Sequence, residues 1–314
     1  MTGDPVAPTY GLEWLSPSIG CDSLNQVMSR DLLDSRVHDR SQLLAQIQKW
    51  LAGEPRACNA WLKGSGGRGQ MDALSDLDVV VVVRDTDLNA IAGDPARPTG
   101  YHEVLGSARG RSVAAVADVL LLLEAPQNAP EGGKALTSFY AMPAGPQQVD
   151  WEWQIWPGDA GTDDTVSLLE RGLLGRPRPA GPQFDHYRPS RAPADDYEVA
   201  QHAIPWFCAT AIWNAKAVAR SSAAAAPPPM LKAMNNAIAD IGRYLGINLG
   251  AFNHAPPLGS ESPFDILTQA VAVFENLLTE APSFFDGVPE TVGKQLRQFI
   301  RAATAFAGQG RLNR

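Results

Sequence analysis

Only three cysteines, Cys21, Cys58 and Cys208, occur in 314 residues, and they lie far apart. An odd count without paired spacing speaks against a disulfide framework or a cysteine metal site, and a reducing compartment is expected. Basic residues are also outnumbered: 26 Lys and Arg stand against 34 Asp and Glu, a formal net charge of -8. Non-specific nucleic-acid affinity comes mainly from Lys and Arg neutralising phosphates, so a nucleic-acid partner is disfavoured. Long hydrophobic runs are missing too. The longest aliphatic stretches, Val79–Val83 and Val119–Leu123, fall far below the ~20 residues that span a bilayer, so no membrane partner is expected. The opening stretch MTGDPVAPTYGLEWLSPS has neither a basic start nor an apolar core. It does not read as a secretory signal, and the expected location is cytoplasmic.

What is there suffices for packed cores: 45% of residues are hydrophobic and 19% charged. The length suggests about two domains. Residues 1–35 show little periodicity and read as an irregular leader. From Arg40, Leu43, Leu44, Ile47, Trp50 and Leu51 recur at helical spacing and stop at Gly53. The apolar run Cys58–Leu62 reads as a strand. Leu77–Val83, with five consecutive β-branched valines, is the clearest strand in the chain. Residues 84–100 read as a loop, with a short helix near His102–Gly106. Strands are expected at the VLLLLE end of Ala114–Glu124, at Leu136–Met142 and at Gln148–Trp156. In the last, Val149, Trp151, Trp153 and Ile155 alternate with Asp150, Glu152 and Gln154. A Pro-, Gly- and Arg-rich linker spans 173–194. Beyond it, helices are expected near 195–220, 229–245, 264–281 and 288–307. The fold class is therefore α+β: a mixed β-sheet with flanking helices over 36–172, then an all-α helical bundle over 195–314.

The segment WLKGSGGRGQMDALSDLDVVVVV, residues 61–83, carries the chemistry. Gly64, Gly66 and Gly69 match G-x-G-x-x-G after a strand, but only Gln70–Asp76 separate Gly69 from the valine strand. A parallel crossover needs ~10–12 residues including its helix, so a dinucleotide-binding unit does not fit. A phosphate loop ending in Gly-Lys-Ser/Thr is absent. What remains is a strand, a glycine turn and a strand opening Asp-x-Asp. Residues i and i+2 share a strand face about 6.6 Å apart, so Asp76 and Asp78 converge. Two carboxylates beside a valine run repel each other and are costly to bury, and a divalent cation resolves both problems. Mg²⁺ prefers one or two protein carboxylates plus phosphate oxygens and water. The glycine backbone can approach a triphosphate closely, with Ser65 adding a hydroxyl and Arg68 a charge.

Leu62-Lys63-Gly64-Ser65 followed by Ser75-Asp76-Leu77-Asp78-Val79 resembles the signature of the DNA polymerase β-like nucleotidyltransferase superfamily. The resemblance covers about 20 residues and implies a nucleotidyltransferase-type sheet. It implies that Asp76 and Asp78 hold Mg²⁺ and that Gly64 and Ser65 bind the phosphates of ATP or another NTP. It also implies a third acid from a neighbouring strand, for which Asp150 in Val149-Asp150-Trp151 is preferred, with Glu152 in reserve and Asp118 third. The element order further resembles the antibiotic nucleotidyltransferases that modify aminoglycosides and lincosamides. That implies adenylyl transfer to a hydroxyl of a small-molecule acceptor, and a cationic amino sugar suits the acidic composition.

In the helical half, Ile204, Phe207, Cys208, Ala211, Ile212, Ala215 and Val218 form an apolar stripe that reads as core. Trp206 and Trp213, on one face, are read as covering the neighbouring domain more readily than as stacking on a base or sugar. Lys216 and Arg220 sit one turn apart, and the resemblance makes Lys216 the candidate for the triphosphate. Asp195-Asp196 reads as a helix cap, while His186 and His202 read as structural. A general base for the acceptor hydroxyl is left open among Glu198, Glu152 and Asp150. Two other functions stand beside the leading one: a non-catalytic nucleotide-binding module, and transfer to a protein or nucleic acid. The latter would need a basic groove, for which Arg171, Arg176, Arg178, Arg188 and Arg191 are the only concentration. Acceptor, nucleotide preference and oligomeric state are not specified by the sequence.

Overall fold

A computed structural model describes residues 20–93, 101–124, 128–130, 132–155, 164–171, 195–221, 228–247, 249 and 262–312. The first half runs α1 (Gly20–Gly53), β1 (Ala57–Lys63), α2 (Gly64–Gly67), β2 (Leu77–Val83), α3 (Asp85–Ala92), α4 (Tyr101–Gly106) and α5 (Ala108–Ala114). It continues with β3 (Val119–Glu124), β4 (Lys134–Tyr140), β5 (Gln147–Ile155) and β6 (Val166–Glu170). Four helices follow: α6 (Asp196–Arg220), α7 (Leu231–Leu245), α8 (Pro263–Glu280) and α9 (Val292–Leu312). The architecture is α+β. One six-stranded mixed sheet has the order β3-β4-β5-β2-β1-β6. β2 and β5 pair in parallel at its centre, and the other neighbours are antiparallel.

Strand alternation sorts the sheet into two faces. Leu77, Val79, Val81 and Val83 of β2 join Val149, Trp151 and Trp153 of β5 in the main apolar core. α1 packs there: the Trp50 ring meets Trp151 edge-on at 5.7 Å, and Trp151 stacks on Trp153 at 6.0 Å. The opposite face carries Asp78, Val80 and Val82 of β2 and Asp150, Glu152 and Gln154 of β5, with Trp61, Val80 and Val82 forming a small cluster of their own. The polar end of this second face is where the candidate site lies. The main core runs without a break into the helical half, where Phe207 of α6 stacks on Phe274 of α8 at 4.6 Å.

The structure corrects several local expectations. Of the expected leader, residues 1–19 lie outside the described residues, and from Gly20 onward the chain is already the helix α1. Periodicity exposes a helix only where one face is buried, and here Val27 and Met28 are 57% and 70% exposed. Within the expected loop at 84–100, Asp85–Ala92 is a helix whose Leu88, Ile91 and Ala92 are buried and whose first-turn Asp85 and Asp87 complement its dipole. The glycine turn is a single helical turn. α5, capped by the Ser107 hydroxyl accepting from Gly110 N at 2.9 Å, and the largely exposed edge strand β6 went unread. The linker at 173–194, with His186, Arg176, Arg178, Arg188 and Arg191, lies outside the described residues. Arg171 has a structural post instead: its guanidinium donates to the carbonyls of Leu51, Ala52, Glu54 and Ala57 at and just beyond the C-terminus of α1. Among the described residues no helix is long and apolar enough to cross a membrane.

Candidate active site

The parallel pairing of β2 and β5 builds the site. Its register sets Asp78 directly beside Asp150, with Val80 beside Glu152. Asp76 lies two residues before Asp78 on the approach to β2. Burial is the first cause that drives the Asp78 carboxyl up, the facing charges of Asp76 and Asp150 add to it, and the result is about 7. Asp150 is also raised, by burial first, although a hydrogen bond from Thr137 Oγ1 counters part of it. Gln148 Nε2 donates to the other Asp150 oxygen at 2.8 Å.

Asp76 behaves differently. Burial pushes its carboxyl up, but the charge and hydrogen bond of Lys216 outweigh that and hold it below the usual carboxylate range. Lys216 Nζ donates to Asp76 Oδ2 and to Gln148 Oε1, each at 2.9 Å. The sequence candidates Asp76, Asp78, Asp150 and Lys216 are thus brought to one place, from two strands and one helix. Trp213, one turn before Lys216, donates its indole N–H to Gln148 Oε1 at 3.1 Å and meets Trp206 edge-on at 5.8 Å. Trp213 therefore bridges the two halves, with Trp206 packed against it on α6.

The other candidates are held by other partners or stand elsewhere, although the Glu152 charge still reaches Asp78 and helps to raise it. Glu152, the reserve acid, is tied to Lys63 in a part-buried ion pair. Asp118 is exposed at the head of the edge strand β3, with β4 between it and β5. Glu198 sits in the first turn of α6, eighteen residues from Lys216 and so about 27 Å along the helix axis, which removes it as a base for this site. Asp195 caps that helix as expected, its carboxylate accepting from Glu198 N at 2.9 Å. Arg68 is exposed, and its guanidinium lies against Gln70 Oε1 at 3.4 Å rather than on the acids. Ser65 is half-buried in the glycine turn.

Glycine is required in that turn on steric grounds. Gly64 has φ +64, and a Cβ there would stand 2.1 Å from Asp78 Oδ2. Gly67 would place a Cβ 2.0 Å from the Asp164 carbonyl oxygen, which is backbone and cannot swing aside. A Gly64→Ala variant is expected to lose about 1–2 kcal/mol from the left-handed backbone alone. It should also displace the Asp78 carboxylate, so that its titration moves while the rest of the fold stays. Urea denaturation and carboxylate NMR of the variant check this; an unmoved Asp78 resonance would contradict the close approach.

Three features of the site were not read from sequence. Gln148 is the amide that joins Lys216, Trp213 and Asp150, and its only sequence signal was its position two before Asp150 on the same face. Thr137 reaches Asp150 from β4. The loop leading into β2 is held from both sides: Arg40 of α1 donates to the carbonyls of Asp72 and Ser75, and Arg220 of α6 forms a two-nitrogen contact with the Asp72 carboxylate.

Among the described residues, no three His, Cys, Asp or Glu side chains are assembled to hold a metal ion. Asp76 is turned onto Lys216 instead. The donor chemistry itself suits a hard cation, because all three acids offer carboxylate oxygens, and burial together with the charges of Asp76 and Asp150 raises the Asp78 carboxyl to about 7.

No family model matches the chain, and no curated protein matches it. Among solved structures, the chain is similar to the STING-associated CdnE c-di-GMP synthase from Capnocytophaga granulosa. That likeness covers 90% of this chain and 83% of the other, at 10% identity and a TM-score of 0.25.

Proposed function

We propose that this chain is a divalent-cation-dependent nucleotidyltransferase. In this reading it moves a nucleoside monophosphate, from ATP or another NTP, onto a hydroxyl of a small molecule such as an amino-sugar or lincosamide antibiotic. The observation that carries it is the convergence of Asp76, Asp78 and Asp150 on one sheet face beside the Gly64–Gly67 turn, with Asp78 driven towards neutrality by burial and the other two acids. Evolution rarely keeps three carboxylates in so costly an arrangement for structure alone, and strongly perturbed acids gather at functional sites.

Asp76, Asp78 and Asp150 would hold Mg²⁺, which when bound supplies charge neutralisation at the phosphates and a lowered pKa for the attacking hydroxyl. The chain's own residues do the positioning. The Gly64–Gly67 turn lets backbone approach the β and γ phosphates, with the Ser65 hydroxyl beside it. Thr137 and Gln148 fix the orientation of the Asp150 carboxylate. With Glu198 remote and Glu152 paired to Lys63, Asp150 is the acid left to take the proton of the acceptor hydroxyl. Attack on the α-phosphorus in line then expels pyrophosphate, and most of the rate comes from positioning and electrostatics.

The test is incubation of the chain with labelled nucleotides and Mg²⁺ against amino-sugar, lincosamide and macromolecular acceptors. Acceptor-dependent pyrophosphate release, lost on chelation, is expected with a small-molecule acceptor. Nucleotide binding without pyrophosphate release under any acceptor would turn the reading into a non-catalytic module. Label appearing only on protein or nucleic acid would move the acceptor class.

A further inference from the structure

The Lys216 ammonium is an unusual partner for a carboxylate that is meant to hold an ion. It arrives from the helical half, on α6, and is 7% exposed. Its contacts are the Asp76 carboxylate and the Gln148 carboxamide, each at 2.9 Å. An ammonium is a donor only, so the Gln148 oxygen must face it, and the same oxygen also accepts from Trp213. That leaves the Gln148 nitrogen for Asp150. One amide therefore links the lysine to a second of the three acids, and the lysine's position is set from both sides. Arg220, one turn on, pairs with the Asp72 carboxylate and reaches Asp76 through its charge alone.

We infer that Lys216 is the resident counter-cation of the carboxylate site: it occupies Asp76 in the resting chain, and a divalent ion gains its full set of acids only by displacing it. This rests on the carboxylate reading given above and adds a gate to it. The ammonium lies at bonding distance of Asp76 Oδ2, so a divalent ion drawn to that carboxylate meets a like charge in a part-buried setting, and ion and ammonium compete for it. The four-carbon stem of lysine lets the ammonium leave without movement of α6. Once released into a buried setting it needs another anion, and a triphosphate provides one. Binding of the ion and of the nucleotide are then coupled, each favouring the other through Lys216.

The test uses the full chain and Mn²⁺ alone, followed by calorimetry and by electron paramagnetic resonance of free Mn²⁺. Lys216→Met is expected to bind Mn²⁺ about tenfold more tightly than the parent, within the usual range of a coupling of this kind. Arg220→Met removes a charge one turn away that acts on Asp76 only from a distance and makes no hydrogen bond to it, and should raise affinity by less than about threefold, as a solvent-screened charge does. Equal or weaker binding by Lys216→Met, or the same gain in Arg220→Met, overturns the inference. Should Lys216→Met fail to fold, the parent chain still decides: acetylation of Lys216, followed by peptide mass spectrometry, is expected to speed up when Mn²⁺ is added, and an unchanged or slower rate overturns the gate. Asp78→Asn separates the two levels. If it leaves Mn²⁺ binding untouched, the carboxylate site itself falls, and this inference with it. If it abolishes binding while Lys216→Met alters nothing, only the gate falls.

Discussion

An Asp78→Asn variant is expected to melt at a higher temperature than the parent chain at pH 7 to 8, measured with chelator present, and yet to lose transfer by about 10²–10³-fold or more. The two effects share one cause. Burial, then the neighbouring charges of Asp76 and Asp150, raises the Asp78 carboxyl from its ordinary 3.8 to about 7 in the folded chain. The folded state therefore binds a proton that the unfolded state has released over the interval from about 4 to 7. Stability from this group is fully present below the unfolded value and is lost as pH rises through the folded one. Asparagine has no proton to lose, so the variant escapes that loss. Melting curves of the two proteins should lie close together near pH 4 and separate towards pH 8, with the variant above. A residue that costs the fold stability when ionised is, in the proposed reaction, one whose charge is needed, a conflict typical of functional sites. A variant that melts lower than the parent at pH 8, or that still releases pyrophosphate at the parental rate, would dismiss Asp78 as the centre of the site.

The parts of this arrangement that could be read from sequence are those carried by local pattern. The valine run announced β2, and Asp-x-Asp at its head put two acids on one face by strand geometry alone. Alternation in QQVDWEWQI separated Asp150 and Glu152 from Val149, Trp151 and Trp153, and the structure keeps that division. The choice between the two acids was not a local matter. Glu152 is excluded as a free acid by Lys63, 89 residues away in sequence, and Lys216 meets Asp76 across 140 residues. Gln148 was invisible for the same reason: an amide carries no charge signal, and its importance lies in the Lys216 and Trp213 that α6 brings to it beside Asp150 of its own strand. The early half of α1 was missed because a helix that leaves Val27 and Met28 exposed does not show a full apolar stripe. What it buries instead is an arginine, and hydrophobic periodicity has no means of registering a buried guanidinium.

That arginine gives the largest expected loss of stability. Arg36 is 1% exposed and donates to three backbone carbonyls, Ala73 at 3.1 Å, Ala144 at 3.1 Å and Pro146 at 3.2 Å, while its guanidinium lies 4.6 Å from the centre of the Phe299 ring. Burial first, and the charge of Arg40 next, lower it to about 10, so it remains charged at neutral pH. It thus fastens together the loop that enters β2, the turn between β4 and β5, and helix α9. Arg36→Met preserves most of the volume and takes the guanidinium donor from two buried acceptors and one part-buried one, at about 1–3 kcal/mol for each buried one. A loss of about 3 kcal/mol or more in urea denaturation is expected. Arg36→Lys should recover only part of it, because a single ammonium cannot span three carbonyls that the planar fork reaches together. The loss should also be felt in the site. With the Ala73 carbonyl released, amides from 73 to 78 should exchange with deuterium faster in Arg36→Met, while those in the middle of α8, remote from this junction, keep their relative protection. Uniform acceleration across both regions would mean that Arg36 holds the whole fold and not the entry to the carboxylate strand in particular; unchanged stability would mean that the three carbonyls find water as readily as they found the guanidinium.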